Sequence, residues 1–486
     1  MKWCFLLNQI DSLIEFLGKL SYQIIENGDE CIIVANSKIS EYSKGKYFSP
    51  NVRFFSKVDW CIENYKKNLK TFNDISWREF FPTFDRELKY SRLNYNYAVE
   101  LVSQLYQFAD YVVGAEKPDV VINEVPANLF TEIFYNFCKR YNIVYLGIID
   151  SKFGGQRIDS YDLKYTCSKY EKTFNDITDD NVTEEEKRFA QDFVKKFISH
   201  QQFPSFWQYD RTHSGLVFRV KDFIQREKEL IAPFLKYLRL RRKFRDFDYE
   251  SEVVLKWHLW WHFWKGLKRR IKSFLQRNIY DLPKNDEKFF LFPLHYEPEA
   301  GISVWATYFS YQLSTVKNIA FALPFPYKLY VKEHPAMEGS RSWSFYRELK
   351  KIPNLVLVSP SENAEKLIRE SQAVITLTGT MGMEAALAGK PVYVLGNIFY
   401  SYHPLCKKLN GFEELKQAIE ADLKNPFVIR DLESVNNRFI LSYFRNTIPG
   451  DILTASTGKD INNYNLIYEN IKKIFFEKKN GGVEIL

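Results

Sequence analysis

The sequence predicts an α/β fold with two Rossmann-type domains that face a cleft, a helical basic/aromatic connector and C-terminal helices. Strand and helix patterns alternate in two separate stretches, which is typical of parallel sheets covered by helices on both faces. At 486 residues, 45% of them hydrophobic and 26% charged, the chain is too long for one ordinary core. The predicted domains are 1–180, the connector 181–285, a second α/β domain 286–425, and a C-terminal part 426–486 that packs back on the first domain.

The first domain contains one clear strand–helix–strand unit. A strand over Asp119–Asn123 is followed by an amphipathic helix over Ala127–Tyr141 and a strand over Ile143–Ile149. Ligands of such sheets lie beyond the carboxyl ends of the strands, and Glu124 follows the first of these strands directly. A carboxylate there is a candidate general base. The alternative, that Glu124 caps the helix starting near Pro126, stays open.

The connector carries the positive charge of the chain. Between Arg211 and Tyr280 there are 18 Lys/Arg and 7 Asp/Glu, a local balance of 18 − 7 = +11 within a net charge of +8. Residues 257–264 read WHLWWHFW, and a basic run follows. Aromatic rings beside cations suit an anionic membrane surface, and the predicted contact residues are Trp257, Trp260, Trp261, Trp264, Lys268, Arg269 and Arg270. A packed connector is the alternative; no nucleic-acid module is recognised, so no nucleic acid is expected.

Cysteine usage and hydropathy indicate the compartment. Six cysteines are scattered without a C-x-x-C pair, which fits reduced thiols better than a disulfide framework. No run of 18 apolar residues occurs, so no membrane-spanning helix is predicted. We therefore expect a cytoplasmic protein that is peripheral on the inner face of the cell membrane.

The second α/β domain has polar residues at the ends of three predicted strands. These strands cover Phe289–Leu294, Tyr327–Val331 and Ala373–Leu377. If they are neighbours, their carboxyl ends converge on one edge of the sheet. The residues brought together complement a phosphate or diphosphate and a ribose: His295, Lys332, His334, Thr378, Gly379, Thr380 and Glu384. For the Gly/Thr turn alone, a purely structural strand–helix connection remains an alternative.

Three segments of this domain resemble one protein family. LFPLHYEPEA (291–300), YVKEHP (330–335) and TGTMGMEAALAGKPVYVLGNIFY (378–400) are similar to the capsule polysaccharide biosynthesis/export family, which includes bacterial Kdo transferases with CMP-activated donors and a GT-B-like architecture. The resemblance covers about 287–400. It implies that His334 binds the donor phosphate, that Thr378 to Thr380 hydrogen-bond the same group, that Glu384 contacts the ribose, and that His295 and Glu299 line the donor site.

The resulting hypothesis is a metal-independent glycosyltransferase of surface or capsular polysaccharide biosynthesis. It would move a Kdo-like sugar from a CMP donor to a glycan or glycolipid acceptor, with Glu124 and His334 as catalytic residues. No cofactor is expected beyond the nucleotide-sugar co-substrate, CMP- or UDP-linked. The D-x-D string Asp246-Phe247-Asp248 does not follow a strand and is not interpreted as a metal site. The alternatives are a UDP/NDP-sugar transferase or epimerase of the same fold, and a non-catalytic capsule assembly or export component.

Overall fold

The structure is a computed structural model, and its strands and helices follow the predicted alternation. It describes residues 1–7, 11–67, 76–78, 95–153, 157–161, 167–198, 231–252, 261–284, 286–426, 428–456 and 460–480. The strands are β1 (Lys2–Leu7), β2 (Glu30–Ala35), β3 (Arg53–Ser56), β4 (Val120–Asn123), β5 (Val144–Asp150), β6 (Arg157–Tyr161), β7 (Phe289–Pro293), β8 (Lys328–Lys332), β9 (Leu355–Val358), β10 (Val374–Thr376), β11 (Val392–Val394), β12 (Cys406–Lys408) and β13 (Thr447–Pro449).

The α-helices connect these strands and extend beyond them. They are α1 (Asp11–Glu26), α2 (Lys38–Lys44), α3 (Lys57–Asn64), α4 (Tyr95–Glu116), α5 (Leu129–Arg140), α6 (Ser168–Asp176), α7 (Glu184–Ile198), α8 (Trp261–Gln276), α9 (Ala300–Ser303), α10 (Gln312–Ala322), α11 (Trp343–Leu349), α12 (Ala364–Glu370), α13 (Thr380–Leu387), α14 (Phe412–Lys424), α15 (Leu432–Phe444) and α16 (Tyr464–Asn480). Residues 231–244 are also helical.

The first unit is built on a parallel sheet with an antiparallel edge. It comprises Met1–Leu163, Phe203–Leu259 and Thr447–Leu486. Its described residues form a seven-stranded sheet in the order β13-β6-β5-β4-β1-β2-β3. β1 to β5 pair in parallel, and β6 and β13 pair antiparallel at one edge.

Both faces of this sheet are covered, because apolar residues alternate to both sides of the central strand. Trp3, Phe5 and Leu7 pack in a core with α1 and α16. Cys4 and Leu6 point to the opposite face and pack with α4 and α5. Since successive side chains of a strand leave on opposite faces, a continuously apolar strand requires helices on both sides.

The second unit repeats this architecture with a fully parallel sheet. It comprises Lys164–Gln202 and Trp260–Asn446. The described residues give six strands in the order β12-β11-β10-β7-β8-β9. The chain runs from β7 outward through β8 to β9, and then returns to place β10 on the other side of β7. The crevice between β7 and β10 is therefore the topological switch point, where such sheets bind ligands.

The observed units divide the chain differently from the predicted domains. The predicted connector, 181–285, is shared between the two units, and so is the predicted C-terminal part. Residues 447–486 belong to the first unit, where β13 pairs with β6 and Tyr468 of α16 stacks on Trp3 at 5.5 Å between ring centroids. Residues 426–446 belong to the second unit. No helix within the described ranges is both long enough and apolar enough to cross a bilayer.

Candidate functional site

The three predicted strand ends of the second unit lie side by side. β10, β7 and β8 are consecutive in the sheet and pair in parallel. Thr378 follows β10, His295 follows β7 and His334 follows β8. The predicted convergence of these segments on one sheet edge is therefore confirmed. What each residue binds stays a prediction.

His295 is buried at the switch point and is held in one tautomer. Its Nε2 accepts a hydrogen bond from the Thr378 backbone N–H at 3.1 Å, so the ring proton resides on Nδ1. Burial lowers the pKa of His295 to about 3, and the ring is neutral near pH 7. The Nδ1 atom is buried and makes no hydrogen bond within the described residues, although the Gln312 amide, which bonds the His295 backbone, acts to raise the pKa of the ring. An orphaned buried donor at a switch point is what a ligand acceptor would satisfy.

His334 has the opposite tautomer. Its Nδ1 accepts from the Ala336 backbone N–H at 3.1 Å, which leaves the proton on Nε2. Burial, with the charges of Arg341 and Lys332, lowers the pKa of this half-buried imidazole to about 4. Both histidines thus contribute neutral N–H donors. The cationic character of the site must come from other groups.

Lys332 and Glu384 are two ionisable groups at this edge of the sheet whose pKa values are shifted by burial. Lys332 is buried, and its Nζ donates to the Pro360 carbonyl at 2.8 Å. Burial lowers its pKa to about 8, so it remains largely protonated at pH 7. Burial raises the pKa of Glu384 to about 7, against the opposing effects of a Thr380 hydrogen bond and the charge of Lys332. Thr380 and Glu384 lie on the first turns of α13, as the sequence predicted.

The Gly/Thr turn uses several of its polar groups internally. The Thr378 hydroxyl donates to the Gly301 carbonyl at 2.8 Å, and the Gly379 N–H donates to Thr376 Oγ1 at 3.1 Å. A side chain at Gly379 would start 3.2 Å from His295 Nε2, which explains the glycine. The predicted donor role of the Thr378 hydroxyl therefore competes with an internal bond. The start of α13 carries no side-chain cap, so its first N–H groups remain suited to an anion.

Glu299 lies at the same edge of the sheet. The Glu299 carboxylate and the Thr378 hydroxyl both lie next to Gly301. A Cβ atom added to Gly301 would be 3.3 Å from Thr378 Oγ1 and 3.4 Å from Glu299 Oε2. The structure thus places Glu299 beside the turn, and its role in lining a donor site stays a prediction.

A buried ion-pair network that the sequence reasoning missed supports both histidines. Arg341 Nε lies 3.1 Å from Glu333 Oε2, and its Nη1 lies 2.6 Å from Glu297 Oε2. Its Nη2 donates to the His295 carbonyl at 2.6 Å, while the His334 N–H donates to Glu333 Oε1 at 2.7 Å. Arg341 therefore ties together the loops after β7 and β8. The only sequence feature that could have indicated this network was Glu333, because a carboxylate that becomes buried requires a cation as its partner.

Glu124 lies in the first unit, at the carboxyl end of β4, and is half-buried. It does not cap the next helix, which begins at Leu129 with Asn128 as its N-cap. The capping alternative is therefore wrong, because the helix starts later than the sequence suggested.

Asp248 of the D-x-D string is fully buried and accepts the backbone N–H of Lys38 at 2.9 Å. No group of three His, Cys, Asp or Glu side chains suited to a metal ion occurs within the described ranges.

The predicted membrane-contact residues are only partly described. Trp257 and Trp260 lie outside the described residues, and Trp261 and Trp264 are on α8. Lys268 and Arg270 are exposed on the same helix. Arg269 instead donates from Nε to the Glu338 carbonyl at 2.8 Å, so its guanidinium is committed to a loop of this unit.

Comparison with known proteins identifies a family for part of the chain. Residues 219–425 match the family described as "Capsule polysaccharide biosynthesis protein". No curated protein sequence matches the chain.

Several solved structures are similar at low identity. The Thermosulfurimonas dismutans KpsC beta Kdo 2,7 transferase has 12% identity and a TM-score of 0.36, over 78% of this chain and 98% of that one. The S. aureus MnaA–UDP structure has 13% identity and a TM-score of 0.27, over 98% and 97%. Anabaena Alr3699/HepE, in complex with UDP and glucose, has 10% identity and a TM-score of 0.27, over 97% and 100%. Scores this low support no inference about the chemistry of this chain.

The family match has a clear relation to the candidate site. It spans less than half of the chain, yet it includes β7, β8 and β10 and every predicted donor-site residue. The resemblance predicted from three short segments is confirmed, because residues 219–425 match the model of the capsule polysaccharide biosynthesis family.

Proposed function

We propose that this protein is a glycosyltransferase of surface or capsular polysaccharide biosynthesis. It transfers a sugar from a nucleotide donor to a glycan or glycolipid acceptor. In the leading version of the proposal, the sugar is Kdo-like and is linked to CMP in the donor. The observation that carries the proposal is the pair of neutral imidazoles at the carboxyl ends of β7 and β8, beside the switch point. A backbone N–H locks each ring in one tautomer, and the Nδ1 atom of His295 is buried without a hydrogen-bond partner among the described residues.

The donor nucleotide is proposed to bind along β10, β7 and β8. Two imidazole N–H groups and the uncapped start of α13 donate to the phosphate oxygens, and Lys332 supplies positive charge. Glu384 accepts from the ribose hydroxyls. These donors are fixed before the reaction, and they gain strength as negative charge grows on the departing phosphate.

In the transfer step, the bond between the anomeric carbon and the donor phosphate oxygen breaks. A bond forms from that carbon to an acceptor hydroxyl oxygen, and Glu124 takes the hydroxyl proton. The nucleotide leaves with the electron pair of the broken bond. Because protein N–H groups and an ammonium stabilise the leaving group, the proposal includes metal independence, which requires transfer to continue in EDTA.

The proposed setting is the cytoplasmic side of the cell membrane. The protein would associate peripherally, through its basic and aromatic segment, with an anionic lipid surface. Neither nucleic acid nor a cofactor other than the nucleotide sugar is part of the proposal.

The decisive experiment replaces His334. His334→Ala removes one donor to the leaving phosphate and should lower the turnover by about 10²–10³-fold without unfolding the protein. His403→Gln is the matched control, because His403 is buried in the same unit with both ring nitrogens bonded, to Asn436 and to the Leu405 N–H. Full transfer activity in His334→Ala, or an equal loss in His403→Gln, would contradict the assigned site.

The competing functions separate on nucleotide binding. A thermal-shift screen with CMP, UDP, GDP and CDP should show one nucleotide that raises the unfolding temperature, since ligands of the native state stabilise it. Stabilisation by UDP rather than CMP would favour the UDP-sugar transferase or epimerase. Absence of binding to all four would favour a non-catalytic assembly component.

A further inference from the structure

Helix α8 has an unusual charge composition. Residues 261–277 contain six Lys/Arg and no Asp/Glu: Lys265, Lys268, Arg269, Arg270, Lys272 and Arg277. From Lys268 onward its side chains are described, and they divide into two faces at helical spacing.

The inward face of α8 is polar and binds the loop after His334. Its members are Arg269, Lys272, Ser273 and Gln276. Arg269 Nη2 donates to the Ala336 carbonyl at 2.7 Å, and Lys272 Nζ donates to the Ser340 carbonyl at 3.2 Å. The buried Gln276 donates to the Arg341 carbonyl at 3.2 Å. Every one of these bonds reaches residues 336–341.

The backbone of this loop touches the backbone of the helix. Gly339 has a φ of +71°, and a Cβ there would lie 2.3 Å from the Arg269 carbonyl oxygen and 2.9 Å from the Ser273 nitrogen. Only glycine tolerates both that conformation and that approach. The loop that contains His334 at one end and Arg341 at the other is thus fixed to α8.

The outward face of α8 is apolar. Ile271, Phe274 and Leu275 are 54%, 67% and 59% exposed. A surface helix of a globular protein normally turns its apolar side inward, so the arrangement here is reversed. The flanking charges are all positive: Lys268, Arg270 and Arg277, the last with its guanidinium carbon 5.3 Å from the centroid of the Phe274 ring.

We propose that this outward face docks the second unit on an anionic lipid bilayer. Exposed apolar side chains enter the boundary between headgroups and acyl chains, while cations of a single sign meet lipid phosphates. Because the inward face holds the His334 loop, docking brings that loop to within about one helix diameter, roughly 10 Å, of the lipid. This inference rests on the proposed function, which already sets the basic and aromatic segment against anionic lipid, and it adds which face of α8 docks and which loop the docking brings to the surface.

The test compares two triple variants in vesicle sedimentation. Wild-type protein should sediment with phosphatidylglycerol vesicles and not with phosphatidylcholine vesicles, and added salt should weaken the binding. Ile271→Ser/Phe274→Ser/Leu275→Ser should reduce binding by about tenfold or more, because three apolar side chains no longer leave water. The control Tyr308→Ser/Phe321→Ser/Phe325→Ser removes three large apolar side chains elsewhere in the unit that are 64% to 98% exposed, and it should bind like wild type.

Three outcomes would overturn the proposal. They are equal loss in both triple variants, no wild-type binding to phosphatidylglycerol, and a wild-type dimer that the α8 variant alone converts to monomer in sedimentation velocity. The last would identify the face as an interface between copies. Nucleotide-dependent thermal shifts of the same variants, measured without vesicles, report on the donor site separately. Failure of lipid docking and failure of the proposed function are therefore distinguishable.

Discussion

The two sheets share the order of their five parallel strands β3-β2-β1-β4-β5 and β9-β8-β7-β10-β11, but the polar residues at their strand ends have different hydrogen-bond partners. In the first unit these residues bond to the protein. Asn123 donates to the Leu6 carbonyl at 2.7 Å and accepts from the Glu124 N–H at 2.6 Å. Asp150 accepts the backbone N–H groups of Ile452 and Leu453 at 2.7 and 3.2 Å.

In the second unit each strand-end histidine accepts a backbone N–H on one ring nitrogen, which leaves the ring proton on the other nitrogen. The comparison shows that a topological switch point provides a place for a ligand but not the chemistry. The chemistry depends on whether strand-end groups are already satisfied. Substitutions at the strand ends of the first sheet, and in the ion-pair network around Arg341, should therefore change the stability of the protein. Substitutions at the strand ends of the second sheet should change ligand binding.

The largest expected effect on stability is at Arg341. Arg341→Met removes the cation that pairs with the buried Glu333 and should cost about 3–5 kcal/mol in the free energy of unfolding, because the carboxylate stays buried without a compensating positive charge. Urea denaturation measures this loss. Adding Glu333→Gln to the same chain should recover part of it.

The control for Arg341 is an exposed ion pair of the same unit. Lys350→Met breaks a 2.8 Å contact with Asp281, where both side chains are more than one third exposed, and should cost less than about 1 kcal/mol. If Arg341→Met costs no more than this, the network does not support the site.

A smaller loss is expected at the first sheet. Asn123→Leu leaves the Leu6 carbonyl and the Glu124 N–H without their side-chain partner and should cost about 1–3 kcal/mol. Nucleotide-induced thermal shifts should not change. The exposed Asn27→Leu is the control and should stay within about 0.5 kcal/mol of wild type. If Asn123→Leu lost nucleotide binding, the proposed difference between the strand ends of the first sheet and those of the second sheet would be wrong.

The most delicate test concerns the histidine tautomers of the ligand-free protein. Long-range ¹H–¹⁵N spectra should show His295 protonated on Nδ1 and His334 on Nε2, with His295→Gln and His334→Gln providing the assignments. Since the pKa values are lowered to about 3 and about 4, neither ring should titrate between pH 5 and pH 8. Titration near the ordinary value of 6.5, or the same tautomer at both positions, would contradict the described site.

The central strands and their convergence could be predicted from the sequence, because they depend on local patterns. β7 was predicted as Phe289–Leu294 and observed as Phe289–Pro293, since an apolar run buried on both faces has no other stable arrangement. The polar residues that follow such a run then lie at the edge of the sheet. The donor-site residues of the second unit were predicted on this principle, and the structure confirms their place at the sheet edge while their roles stay predictions.

Other features depend on contacts between distant residues and could not be predicted. β6 and β13 are short edge strands whose pairing joins Arg157 to residues near Thr447, and no local pattern reports it. Arg341 lies in a loop, and its role follows only from the inward position of Glu333. The orientation of α8 was missed for the same reason: composition gives its charge, but the contacts with residues 336–341 decide which face is exposed.

The return of the C-terminal segment to the first unit also determines the order in which the two sheets become complete during synthesis. The strands of the second sheet end at Lys408, whereas the first sheet lacks its outermost strand until Thr447–Pro449 has been made. Its core then still needs Ile467, Ile471 and Phe475 of α16. A nascent chain therefore holds an unfinished first sheet while the complete second sheet is already available, and chain separations of this length slow folding.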